Sequence, residues 1–176
     1  MSFLDTMQTY FRGEKLEAIV FILPLGIVLM AFGAVALKVE RGGFAWGVAV
    51  PCFLAGLALI GTGAAVAART AGQVAEIKQG FEQAPATMVQ KEIPRMQKVN
   101  ANFRTTYIAF GVLAAAGLAI HYLFGDGWGR GLGAVLILVG ALGLLIDGFA
   151  ERRAVPYTAA LEQAATQRQF GRDNAH

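Results

Sequence analysis

One carboxylate, Asp147, stands at the end of the apolar run "GAVLILVGALGLLIDGFAERR", residues 133 to 153. An acid deep in a membrane needs a counter-charge or a proton, and for that reason marks ion and proton pathways. An acid at the membrane boundary needs only water or a nearby arginine. The stretch 131–146 contains no Asp, Glu, Lys or Arg, but its 16 residues fall short of the roughly 20 that a span requires. The span must therefore borrow residues at its ends. Extension to Ala150 leaves Asp147 three residues, about 4.5 Å, from the boundary, within reach of Arg152, Arg153 or Arg69. This placement favours an interfacial acid. An ion pathway through Asp147 is the second reading, and recognition of a partner is the third.

Other chemistry-bearing residues are sparse. His121 lies near one end of an apolar stretch, beside Tyr122 and close to Asp126, and the only other histidine is the terminal His176. One chain thus lacks the paired imidazoles that would hold a haem or a zinc, so neither cofactor nor metal is expected. A hydrogen-bonded histidine at the membrane interface is the simpler role. The single cysteine, Cys52, sits inside an apolar stretch, which excludes an internal disulfide. Pro24 and Pro51 interrupt apolar stretches. Each removes a backbone hydrogen bond and should kink its helix, with no Asn, Gln or acid nearby to complete an ion site. The "GRGLG" motif at residues 129–133 follows no strand and does not read as a phosphate loop. No Ser/His/Asp set, metal-binding helix or intramembrane acid pair is present, and the chain is not expected to be an enzyme.

The elements that must position these residues are set by composition. Of 176 residues, 56% are hydrophobic and only 15% charged, unlike a soluble domain. Four stretches, Ala18 to Leu37, Phe44 to Ala68, Thr105 to Gly125 and Gly131 to Ile146, carry no charged side chain. The expected fold is an all-α integral membrane protein with four transmembrane helices and a cytoplasmic helical hairpin that extends spans two and three. The boundaries read as an amphipathic N-terminal segment at 1–16, spans at 17–38, 44–69, 105–125 and 129–150, the hairpin at 70–104 and a tail at 151–176.

Twelve of the fifteen basic residues flank the ends of the spans that hold both termini and the middle connection: Arg12, Lys15, Arg69, Lys78, Lys91, Arg95, Lys98, Arg104, Arg152, Arg153, Arg168 and Arg172. Only Lys38, Arg41 and Arg130 lie on the two short connections. The positive-inside rule then places both termini in the cytoplasm. Trp46 and Trp128, beside the short connections, suit the aromatic belt of the opposite face. The net charge of +3 reflects this topology, and no basic run with interleaved aromatics suggests nucleic acid.

Outside the spans the apolar residues keep a helical period. Phe3, Leu4, Met7, Tyr10 and Phe11 form one face of an N-terminal helix, read as lying in the membrane interface and anchoring the bundle, or else as a partner-binding element. Val74, Ile77 and Phe81 continue helix two, and Val89, Ile93, Met96 and Phe103 lead into helix three, with the turn near Pro85 and Pro94 in the first helical turn. Tyr157, Leu161, Ala164 and Ala165 would pack a third helix on this hairpin. A shift of 84 residues also aligns Val28, Leu29, Ala31 and Gly33 with Val112, Leu113, Ala115 and Gly117, Gly43 and Gly47 with Gly127 and Gly131, Gly56 with Gly140, and Arg69 with Arg153. This is the pattern of a parallel repeat of two spans.

The expected function is binding. The partners would be the lipid bilayer and another membrane protein or complex, with self-association as a further option, through the stripe Val74, Ile77, Phe81, Ile93 and Met96. Two roles fit: an accessory subunit of a larger complex, or a guard that neutralises a toxin in a bacterial inner membrane. An oligomeric channel or small-solute transporter is the alternative, for which Asp147 would line the pathway. A redox or quinone-associated subunit would rest on His121 and the aromatics alone.

Overall fold

The computed structural model describes the backbone of residues 3–173 and the side chains of residues 3–166. The side chains of Arg168 and Arg172 and the whole of His176 fall outside these bounds. The described chain is helical: α1 (Phe3–Glu17), a π-helical turn (Ala18–Ile22), α2 (Leu23–Val39), α3 (Gly43–Gln83), α4 (Pro85–Leu123) and α5 (Gly127–Asp173). Four of these helical stretches, the first running from Phe3 to Val39, are long and apolar enough to cross a membrane. A 41-residue helix such as α3 is about 60 Å long, twice the roughly 30 Å of bilayer hydrocarbon. Each rod therefore has an apolar half and a charged half, and the four lie side by side.

α4 runs along α5, α2 along α3, and α3 crosses α5, whereas α3 and α4 meet sparsely beyond the turn at Ala84. The two halves of the bundle are built differently. In the charged half a thick core collects Met7, Tyr10, Phe11, Met88, Val89, Met96, Tyr157 and Leu161, with Tyr10 stacked on Tyr157 at 4.9 Å between ring centroids. In the apolar half the core is thin, centred on Leu29, Val48, Cys52 and Val135, and the helices touch through glycine. Where lipid removes the hydrophobic drive, close backbone packing at small residues replaces it.

The 84-residue pattern reappears in three dimensions. Val39 plus 84 is Leu123, where α4 ends as α2 does, and Gly43 plus 84 is Gly127, where α5 begins as α3 does. Contacts repeat in the same register. A Cβ on Gly56 would lie 2.8 Å from the Gly26 carbonyl, and one on its counterpart Gly140 would lie 2.8 Å from the carbonyl of Phe110, the counterpart of Gly26. Gly33 faces Ala49, Cys52 and Phe53, while Gly117 faces their counterparts Gly133, Leu136 and Ile137. Across the halves, Gly47 abuts the Trp128 carbonyl and the Leu132 nitrogen, and Gly131 abuts the Phe44 carbonyl and the Val48 nitrogen. These reciprocal contacts are those of a pseudo-twofold axis through the α3/α5 crossing.

Three expectations change. The N-terminal helix does not lie apart as an interfacial anchor: α1 continues through the π-helical turn into α2, and its Met7, Tyr10 and Phe11 are buried against the other helices. The amphipathic period was real, but protein rather than lipid headgroups covers the apolar face. The π-helical turn precedes Pro24, which stands in the first turn of α2 and has no N–H for a carbonyl one turn back. The wide turn also takes up one extra residue. The tail packs on the hairpin through Tyr157, Leu161, Ala164 and Ala165 as expected, but as a continuation of α5, which runs unbroken from Gly127 to Asp173 with Pro156 inside it. Pro94 lies ten residues into α4, whose first turn holds Pro85 instead.

Candidate binding cavity between the two halves

α2 with α3, and α4 with α5, form two helical pairs that join at the α3/α5 crossing and leave space between them further along. That space is a cavity of about 280 Å³ lined by Ile22, Leu29, Ala55, Ala58, Leu59, Thr62, Phe110, Val139, Leu142, Gly143, Ile146 and Asp147. Ten of these twelve are apolar, and Asp147 is the single charged group. Its Oδ2 is buried and meets no hydrogen-bond donor among the described residues. Arg153, one of the arginines expected beside it, is instead paired with Glu17, and Arg69 pairs with Glu14 at 3.0 Å. Glu17 Oε1 and Arg153 Nε are likewise buried and unpartnered. Asp147 thus sits one helical turn inside a layer of charges, facing the interior of the bundle.

The other proposed residues are drawn together elsewhere. Ile77 and Met96 are buried in the aromatic core, with Val74, Phe81 and Ile93 packed against it. Phe81 stacks on Phe3 at 4.6 Å. Part of the stripe's apolar surface is thus packed inside the chain, while Val74, Phe81 and Ile93 stay partly buried. His121 is half-buried at the far end of α4, where Nδ1 donates to the Arg130 carbonyl at 3.0 Å. Accepting carbonyl geometry requires the proton on Nδ1. Trp46 and Trp128 are about half exposed, at the end of the bundle opposite the charged half.

One cluster was missed by the sequence reading. Glu92 is 4% exposed in the aromatic core, bonded by Arg95 at 2.8 and 2.5 Å and by the Tyr157 hydroxyl at 3.0 Å. Arg95 also lies 5.9 Å from the Phe11 ring centroid. The hydrogen bond from Arg95 to Glu92 holds the guanidinium pKa above its ordinary value. Burial, and then the Glu92 charge, raises that of Tyr157. Burial, and then Glu14, pushes Tyr10 up to about 12. Because "EIPR" offers only an i, i+3 acid and base, nothing local distinguishes this pair from a solvated one. Tyr157, 65 positions away, makes the difference. Beside it, a cleft of about 380 Å³ between α3 and α4 is lined by Gln73, Glu76, Thr87, Lys91 and Arg95 among others, with Lys91 and Glu76 paired across it at 2.7 Å.

Among the described residues no group of three or more His, Cys, Asp or Glu side chains is arranged to hold a metal ion. No family model, curated protein or solved structure matches this chain.

Proposed function

We propose that the chain is a multi-pass protein of a bacterial inner membrane that acts by binding another membrane protein, either as an accessory subunit or as a guard against a toxin. Both termini and the α3/α4 turn lie in the cytoplasm on this reading, which the distribution of basic residues supports. The observation that carries the binding role is the state of α4. Only 6% of its most apolar 18-residue window is buried within the chain, against 22% to 33% for the other three rods. Ile108, Val112 and Leu118 point outward there, on a helix that leaves room for a neighbour. The charged halves, by contrast, already close on a complete core.

A photoreactive residue at Val112 in native membranes tests this. A discrete adduct of one additional protein, absent when the probe is moved to Leu57 on α3, is the expected result. Diffuse labelling of lipid at both positions would refute it. A transport role is the second reading, favoured specifically by Asp147 inside the cavity between two repeated halves. Solute flux in proteoliposomes of the purified chain would establish that role in place of the first.

A further inference from the structure

We propose that the cavity between the two halves is a binding site for a small amphiphilic amine, with its apolar body among the aliphatic side chains and its ammonium on Asp147. This goes beyond the partner-binding role and stands whether or not that role does. The lining leaves little choice of ligand. Ile22, Leu29, Leu59, Val139 and Leu142 supply hydrocarbon, and the Phe110 ring, lying against Gly143, adds an aromatic face. An anion would meet the Asp147 carboxylate. A purely apolar molecule would leave Oδ2 as it stands, buried without a donor, which is costly for a carboxylate. A cation that donates a hydrogen bond suits both the walls and the acid.

The internal repeat sharpens the argument. The counterpart of Asp147 is Gly63, since 63 plus 84 is 147. A Cβ at Gly63 would lie 2.8 Å from Leu23 and 3.2 Å from the Ala18 carbonyl, so in the first half this position closes a helix contact. In the second half the same position carries a carboxylate on the wall of the cavity. Helix packing that the repeat requires therefore does not account for the acid. Size follows from volume: about 280 Å³, at the roughly 30 Å³ that one water-sized group occupies, holds about nine heavy atoms. Asp147 to Val139 spans eight residues of α5, about 12 Å, which suits an elongated molecule with the amine at one end.

2-Phenylethylamine, its neutral isostere 2-phenylethanol and phenylacetate form a suitable probe set for the full chain in phosphatidylcholine nanodiscs, with binding read by ligand-observed NMR. The expected result is saturable binding of the amine, weaker binding of the alcohol and none of the carboxylate. Asp147→Asn should weaken the amine by about ten- to hundredfold, the factor that a charge-assisted hydrogen bond carries, and leave the alcohol unchanged. Ala55→Leu, which fills the cavity without touching the acid, should abolish both. A lipid with an ethanolamine headgroup presents the same ammonium. Adding phosphatidylethanolamine to the nanodiscs separates the sources: undiminished binding assigns the site to a free amine, and competition assigns it to the lipid amine. Amine binding that is equal in the wild type and in a folded Asp147→Asn variant, or insensitive to Ala55→Leu, overturns the proposal.

Discussion

Alanine at Gly47 and at Gly131 probes the crossing on which the two halves turn. A Cβ at Gly47 would lie 2.9 Å from the Leu132 nitrogen and closer still to the Trp128 carbonyl; at Gly131 it would lie 3.0 Å from the Val48 nitrogen and closer still to the Phe44 carbonyl. Ordinary contact begins near 3.4 Å, so α3 and α5 must part by about half an ångström or more. Both neighbours are backbone and cannot rotate away. Overpacking of this kind costs about 1–3 kcal/mol. Gly61 and Gly111 have nothing within 4 Å of an added Cβ, and alanine there changes only helix propensity, by up to about 1 kcal/mol in its favour. The expected gap between crowded and open sites is thus about 1–3 kcal/mol, whatever the propensity term. The pseudo-twofold also predicts coupling: once one substitution has parted the helices, the second adds little, so the double variant should cost about as much as either single. Unfolding in mixed micelles, followed by helical circular dichroism, measures all of these. Costs at Gly47 and Gly131 that add to within about 0.5 kcal/mol, or that equal those at Gly61, would refute a shared crossing.

Three other outcomes are expected. In a Cys52→Ala background, cysteines at Arg41 and Gly125 should react with an impermeant reagent added outside sealed cells, and one at Gln83 should not; labelling of Gln83 reverses the orientation. Glu92→Ala strands the Tyr157 hydroxyl and releases Arg95, and should lower unfolding stability by about 2 kcal/mol, below the usual cost of breaking a buried pair because the Arg95 side chain is 36% exposed; Tyr157→Phe should cost about 1 kcal/mol. Because folding raises the Tyr10 pKa from 10.0 to about 12, the neutral phenol is the form that the fold favours, and its contribution is complete below pH 10 and lost as pH climbs toward 12. Tyrosinate absorbance should therefore show a late component, shared with Tyr157, that Tyr10→Phe reduces; no such reduction, with the loss falling instead at ordinary alkaline pH, would place Tyr10 at the surface.

The helical class and the four apolar rods were legible because a charge-free run of span length has few other uses. The turn near Pro85 was legible as well, at Ala84, since proline ends one helix and begins the next. The 84-residue match could be seen in the letters, yet in a chain with 22 glycines letters alone do not separate descent from composition. Matching helix ends and reciprocal glycine contacts show the repetition in three dimensions.

What remained closed to the sequence has one physical source. Periodicity reports which face of a helix is apolar, and it is indifferent to whether lipid, a partner or the same chain covers that face. Phe3, Met7, Tyr10 and Phe11 would show the same spacing in any of the three settings; only the π-helical turn that joins α1 to α2 directs them into the core. For the same reason Val74, Ile77, Phe81, Ile93 and Met96 look alike as a docking stripe and as an interior. Asp147 is the sharper instance. Its distance from the end of an apolar run is a property of the chain, and the sequence determines it. Whether an arginine meets it depends on helices brought together from positions 17, 62, 110 and 153, and tertiary packing alone commits Arg153 to Glu17 and leaves Asp147 facing a cavity.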